Sequence, residues 1–398
     1  MSRPEFIALM AMMFATIAFS IDAMLPALPE IGAELSPQDL NRAQLILTSF
    51  VAGIGVGTFF VGPISDSFGR KPVIIAGSFL YIGASAVAYF STSLEVVLAA
   101  RVVQGLGASA PRIVSLAIMR DFYSGRIMAR MMSIAMIIFT IFPAFAPLMG
   151  AGIIALAGWR SIFLTFILFS LICVLWMSLR LPESLPKQDR RAFRLSLLFA
   201  AALEMVRHPT VRLSILVQCL SMGMLFTMLT MVQPVFDIVY GRGDDFPFWF
   251  AAVAVIAGSA NILNAALVVR VGMRRMVTWS LGIQVLLSGA MVLAGAMAPS
   301  GVPAFGLFVF WQMTLFFVAG TTLGNLSAMA MEPMGHIAGM AASVVGGIST
   351  VVAAAIAAPV GLLFDGSTKP LALAGLVLAA SGWSVMIHLS RIETRLAV

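Results

Sequence analysis

Gly62-Pro63-Ile64-Ser65-Asp66-Ser67-Phe68-Gly69-Arg70-Lys71-Pro72 is a short charged turn set between two long apolar runs. Two glycines and two prolines let the chain reverse tightly. The apolar run on either side is roughly 20 residues, about the length that crosses a 30 Å hydrocarbon layer. The stretch therefore reads as a hairpin loop between two membrane helices. Its basic residues, Arg70 and Lys71, put that loop on the cytoplasmic side.

The whole chain agrees with this reading. It has 398 residues, 61% of them hydrophobic and only 10% charged, where a soluble protein carries about 25% charged residues. This is the composition of a polytopic all-α membrane protein. The net charge of +7 raises the question of a nucleic-acid partner. The Lys and Arg residues gather in segments on the side of Arg70, while the acids divide evenly, so the basic excess orients the protein in its bilayer. No nucleic-acid partner is expected. Cys173 and Cys219 both fall within apolar spans, and His208, His336 and His388 fall near span ends. Neither set makes a disulfide or metal framework, so no metal and no cofactor is expected.

Read in order, the first span covers 6–28. It is too long for a signal peptide and carries Asp22. Pro26 and Pro29 are expected to end it outside, before an acidic loop with Glu30, Glu34 and Asp39. Spans 2 to 6 follow at roughly 43–65, 72–91, 95–119, 127–156 and 160–180, with Gly158-Trp159-Arg160 as the outer turn between the last two. A basic linker holding Lys187, Arg190, Arg191, Arg194 and Arg207 comes next. Spans 7 to 12 are expected at roughly 211–236, 246–269, 275–297, 302–329, 337–363 and 370–390. The expected organisation is a six-helix bundle over 1–182, a cytoplasmic linker over 183–210 and a second six-helix bundle over 211–398, with both termini cytoplasmic. The halves echo one another. Gly272-Met273-Arg274-Arg275 stands where Gly69-Arg70-Lys71 stands, and Pro359 and Gly361 stand where Pro147 and Gly150 do. Repeats of this kind build two bundles around a cavity at the bilayer midplane.

Asp22 is the one acid placed within the hydrocarbon region, and an ionisable group there is a functional candidate by default. Arg101 lies at a similar depth in span 4. Arg112 follows eleven residues on, close to three helical turns, so both arginines point the same way. Gly105 and Ala108 share that face and are expected to leave space beside the guanidinium groups. The face then reads as a cationic stripe on a cavity wall, with Arg112 meeting polar or anionic parts of a solute. The second half offers no intramembrane charge. Met222, Phe226, Asn261 and Trp311 are its candidate solute-binding residues, Met and aromatic side chains being suited to adaptable apolar pockets. Gln218, Gln233, Asn264 and Gln312 are expected to bond neighbouring helices. Prolines in Pro143-Ala144-Phe145-Ala146-Pro147-Leu148-Met149-Gly150 bend span 5, and its small residues allow close packing.

These stretches carry a family resemblance. The order Gly62, Asp66, Gly69, Arg70, Lys71 resembles the signature loop between helices 2 and 3 of the major facilitator superfamily. Arg101-Val102-Val103-Gln104-Gly105-Leu106-Gly107 resembles its span-4 motif, Arg-x-x-Gln-Gly-x-Gly. The span-5 stretch resembles the motif of its antiporters, except that Ala146 stands before Pro147 where Gly is usual. Together with Ser20-Ile21-Asp22-Ala23-Met24-Leu25-Pro26-Ala27-Leu28-Pro29, they are similar to the bicyclomycin/chloramphenicol-resistance (Bcr/CflA) group of drug:proton antiporters. The resemblance covers the whole chain in topology and the first half in motifs.

The resemblance implies the twelve-helix fold of that superfamily and a multi-pass protein of the bacterial inner membrane, acting as a monomer. It implies alternating-access export of amphipathic drug-like molecules in exchange for protons. It sets spans 1 and 4 side by side, so Asp22 and Arg101 are expected to pair and to couple protons. Some members carry a second acid about two turns before this Asp. Phe14 occupies that position here and is expected in the solute cavity. Gly62, Asp66, Gly69, Arg70, Lys71 and Asp121 are expected to form an inner gate, with Pro143, Pro147 and Gly150 shaping the outer one. In that gate Arg70 reaches Asp121, and Asp66 lies against the start of span 11. No Walker sequence is present, and no enzymatic activity or catalytic residue is expected. The alternative reading is a proton-coupled exporter of a metabolite such as an amino acid or sugar derivative. A transporter-like receptor or scaffold is a further rival and would ordinarily carry a soluble sensory domain.

Overall fold

The computed structural model of the chain describes residues 1–190, 192–298 and 301–396, without the side chains of 126, 129, 133, 136, 138–140 and 393–396. Arg191 of the linker lies outside the described residues. Twelve α-helices of 20 residues or more run through them. We number them α1 (Arg3–Asp22), α2 (Leu45–Phe68), α3 (Arg70–Phe90), α4 (Leu94–Phe122), α5 (Gly125–Ala157), α6 (Ser161–Arg180), α7 (Pro209–Pro234), α8 (Phe246–Val271), α9 (Met273–Met297), α10 (Phe305–Met331), α11 (Ala338–Leu362) and α12 (Lys369–Leu396). Helices this long and this apolar all round satisfy every backbone group internally, as a bilayer requires. The chain is thus an all-helical, multi-pass membrane protein.

Two compact units divide the chain, Met1–Leu195 and Ser196–Val398. Within the first, α4 packs against α1, α2 and α3, while α1 also packs on α5 and α6, and α3 on α6. Within the second, α10 packs against α7, α8 and α9, while α7 also packs on α11 and α12, and α9 on α12. Adding six to each helix number of the first set gives the second. The repeat read from the two glycine turns is therefore a repeat of packing. The turns agree in detail. Gly69 is the single residue between α2 and α3 and has φ 102°, and Gly272 between α8 and α9 has φ 88°. Both lie in the region that L side chains rarely adopt.

The start of the chain departs from expectation. Pro26 and Pro29 do not end the first segment; they redirect it. A short 3-10 turn, Leu25–Ala27, and an eight-residue helix, Leu28–Leu35, continue it, each with its proline near the start, where the missing N–H costs nothing. Glu30 and Glu34 therefore lie on a helix. Glu34 accepts hydrogen bonds from Trp159 Nε1 and Arg160 Nη1, both at 2.7 Å, which ties this helix to the expected outer turn. Asp22 is consequently the last residue of α1, at a break in the middle of a longer segment.

Candidate functional site

The break at Asp22 is where four helices of the first unit are joined by polar contacts. Ala23 N donates to Phe19 O and Met24 N to Ile21 O. Ser20 O, in the last turn of α1, instead receives a bond from Arg101 Nη2 at 2.9 Å. Arg101 Nε donates to Ile46 O in α2 at 3.2 Å, and Nη1 donates to Gln104 Oε1 at 2.5 Å. Its guanidinium also stacks 4.1 Å from the centroid of Phe50. Gln104 Nε2 donates to Ser85 Oγ at 2.7 Å, and the Tyr81 hydroxyl shares a 2.6 Å hydrogen bond with Ser20 Oγ. Arg101 is 0% exposed and Asp22 5%. A cation at the carboxyl end of a helix also complements its dipole.

This geometry corrects the expected Asp22–Arg101 ion pair. The donors of Arg101 go to α1, α2 and α4, and the two side chains form no ion pair here. The side chain of Asp22 is buried without a hydrogen-bond partner among the described residues.

The expected cationic stripe on a cavity wall is also corrected. Gly105 leaves no space: a Cβ there would stand 2.1 Å from Phe50 O and 2.8 Å from Ile54 N. Gly53 mirrors it, with a Cβ 2.0 Å from Val102 O. On the opposite flank of α4, Gly107 makes the same kind of approach to Gly77 of α3, where a Cβ on Gly107 would lie 2.5 Å from Gly77 O. These glycines bring backbones together, as small residues do in membrane helices. Arg101 is sealed between them, while Arg112, three turns on, is half-buried. Phe14 is not a cavity residue either. It is 3% exposed and belongs to a core cluster with Leu9, Met10, Met13, Ile74 and Val114.

Gly150 of the span-5 motif reaches the break directly. A Cβ on it would lie 2.2 Å from Ala23 O, next to Asp22. Pro143 and Pro147 lie inside α5, half-buried and buried respectively. The motif thus presses α5 onto the carboxyl end of α1. Gly150→Ala should force these backbones apart. Overpacking of this kind costs about 1–3 kcal/mol. We expect a lowered melting temperature in detergent and slowed transport, with the α2–α3 loop intact by cysteine accessibility. Unchanged melting and transport would show that the close approach is dispensable.

The α2–α3 loop is a second polar cluster. Arg70 Nη1 donates to Asp66 Oδ1 at 2.5 Å and to Ser65 Oγ at 2.7 Å, and Nε donates to Asp121 Oδ2 at 3.1 Å. The expected reach of Arg70 to Asp121 is therefore present, and Asp66 is held by Arg70 within the same unit. Glu183, which the sequence did not single out, caps α3. Its carboxylate accepts from Arg70 N at 2.9 Å and Lys71 N at 3.1 Å, the favourable place for an anion on a helix. Lys71 Nζ donates to Ser178 O at 3.0 Å. Gly62 lies within α2 and is half-buried. No local pattern marks Glu183 as a cap, because the two α3 amides it caps are over a hundred positions away.

In the second unit Met222 and Phe226 are half-buried on α7 and Asn261 is exposed on α8. Trp311 does not meet its expectation. It is 1% exposed, its Nε1 donates to Ser288 Oγ at 3.1 Å, and it packs against Gly375 of α12. Asn264 and Asn325 join α8 to α10 at 2.7 Å, and Ser327 donates to Gln218 Oε1 at 3.2 Å, as expected for amides between membrane helices. Gln312 is the eighth residue of α10, as Arg101 is of α4, and is 0% exposed. Gln284 and Ser288 correspond in the same way to Tyr81 and Ser85. The repeat thus places neutral polar residues where the first unit holds a cation, and the Gln312 amide, expected to bond a neighbouring helix, has no hydrogen-bond partner among the described residues.

The sequence matches the Major Facilitator Superfamily over residues 8–358, and the chain belongs to that superfamily. It is 31% identical over 329 residues to the Bicyclomycin resistance protein homolog of Haemophilus influenzae, covering 81% of this chain and 80% of that protein. It is 36% identical over 147 residues to the Chloramphenicol resistance protein of Pseudomonas aeruginosa, covering 37% of this chain and 35% of that one. These relatives match the Bcr/CflA group that the motifs resemble. Among solved structures, a D-xylose-proton symporter superposes with a TM-score of 0.72 at 14% identity, covering 95% of this chain and 97% of that one, a likeness of fold alone. The superfamily is one of transporters, so the chain is a transporter of small molecules rather than an enzyme.

Proposed function

We propose that this chain exports amphipathic drug-like molecules across the bacterial inner membrane in exchange for protons, as a monomer with both termini cytoplasmic. The observation that carries the reading is Asp22: a buried carboxyl with no hydrogen-bond partner among the described residues, placed at a helix break and pressed by the proline-containing α5. A buried carboxylate needs a cation or water to compensate it. Arg101 is bonded to Ser20 O, two residues away. A shift of one guanidinium nitrogen from that carbonyl to the Asp22 carboxylate would supply the cation in one conformation and withdraw it in the other. Desolvation favours the protonated acid and a close guanidinium favours the carboxylate, so the shift would move a proton on and off. Loss of the charge would ease closure around an apolar solute. The polar cluster of Asp66, Arg70 and Asp121 would act as the inner gate, with Gly62, Gly69 and Lys71 shaping its turn. Drug-resistance proteins among the relatives support the substrate class. The test is export from proteoliposomes, with a pH gradient imposed and then collapsed.

A second reading, export of an anionic metabolite, is favoured by Arg112. This arginine is half-buried in α4 and has no ion-pair or hydrogen-bond partner among the described residues. Arg112→Ala should change the ratio of affinities for neutral and anionic solutes in competition assays and leave proton coupling in place. An equal loss for every solute, with poor folding, would make Arg112 structural.

A further inference from the structure

The linker carries a thirteen-residue helix, Leu195–Arg207. Successive residues turn by about 100°, which sorts its side chains into three strips. Leu198, Ala201 and Met205 form one, and all are buried. Ser196, Ala200, Glu204 and Arg207 form a second, exposed strip, in which Glu204 Oε1 lies 2.8 Å from His336 Nε2. The third strip holds Leu195, Phe199, Leu203 and Val206, which are 46%, 61%, 52% and 50% exposed. Four large apolar side chains in a row, at i, i+4, i+8 and i+11, are thus left uncovered. Leu197 is the one exposed large apolar residue of the helix outside that row.

Two features identify what covers the row. The helix ends at Arg207 and membrane helix α7 begins at Pro209, with only His208 between. Chain connectivity therefore holds the helix at a membrane surface. Its two ends are basic, with exposed Arg194 immediately before it and exposed Arg207 and Arg212 at and beyond its end. An exposed apolar stripe with basic ends complements a layer of acyl chains beneath anionic headgroups. We propose that Leu195–Arg207 is a bilayer-surface anchor, with Leu195, Phe199, Leu203 and Val206 inserted below the headgroups and Arg194 and Arg207 binding anionic phospholipid. It anchors the linker to one leaflet, whatever solute the protein moves.

The test uses spin labels on full-length protein in lipid vesicles, in a Cys173→Ala/Cys219→Ala background. Labels replace Phe199 and Leu203 on one strip and Ser196 and Ala200 on another. At 199 and 203, collisions with oxygen should exceed those with an aqueous nickel chelate, and the ratio should reverse at 196 and 200. Changing the vesicles from phosphatidylcholine to phosphatidylglycerol should deepen the label at 199, and Arg194→Gln with Arg207→Gln should abolish that shift. Dominance of the aqueous reagent at all four sites would overturn the proposal. So would spin–spin broadening at 199 and 203, which would mean contact between copies, and so would an equal depth in both lipids. On the unsubstituted protein, a membrane-soluble carbene reagent should label the peptide that holds Phe199 and Leu203. None of these readouts depends on transport, so they stand or fall apart from the proposed exchange of drug for protons.

Discussion

Asp22→Asn should abolish uphill export. One proton exchanged for a neutral solute draws about 2.3 kcal/mol per 100 mV from the membrane potential, which supports a gradient on the order of fiftyfold. The amide is permanently neutral, so the variant should reach only equal concentrations on the two sides, though it can still bind solute. Asp22→Glu keeps a titratable group at the break of α1 and should retain coupling with a displaced pH optimum. The measurement is solute accumulation in proteoliposomes before and after the gradient is collapsed. Accumulation by Asp22→Asn against its gradient would place coupling elsewhere and leave Asp22 a structural residue.

Arg101→Lys should be nearly as damaging despite keeping the charge. The guanidinium reaches Ser20 O, Ile46 O and Gln104 Oε1 in three directions and stacks on Phe50. One ammonium cannot cover that fork. Each buried acceptor left unpaired costs about 1–3 kcal/mol, and Ser20 O is the one with no bond from the next turn. The expected result is a lower melting temperature in detergent together with loss of most transport. A variant that melts and transports like the parent would show that charge alone matters here.

The membrane architecture was legible because hydrocarbon thickness dictates helix length, and the turn at Gly69 was legible because the Asp66–Arg70 contact across it is local. The surroundings of Arg101 were not. A glycine on a helix face can leave a space or admit a neighbouring backbone, and the sequence is the same in both cases. Gly105 read as the first and is the second. Prolines carry a similar ambiguity: Pro26 and Pro29 read as a stop, yet at the first turn of a helix they are starts, and Asp22 gains its position from that difference. Tyr81, Ser85 and Glu183 were missed because their partners lie on other helices. Trp311 read as a cavity residue because an aromatic side chain fits a binding pocket and a packed core equally well, and Phe14 because the family resemblance puts an acid at its position.

The glycine contacts on the two flanks of α4 have a mechanical consequence. With Gly53 and Gly105 joining α2 to α4 and Gly77 and Gly107 joining α3 to α4, backbone lies on backbone at these points of approach, where a glycine has no side chain to yield by changing rotamer. The three helices form a stiff plate. Outside that plate, α1 is interrupted after Asp22, and α5 carries prolines at 143 and 147. A cycle that bends this unit at the α1 break would move the Asp22 carboxyl with every stroke.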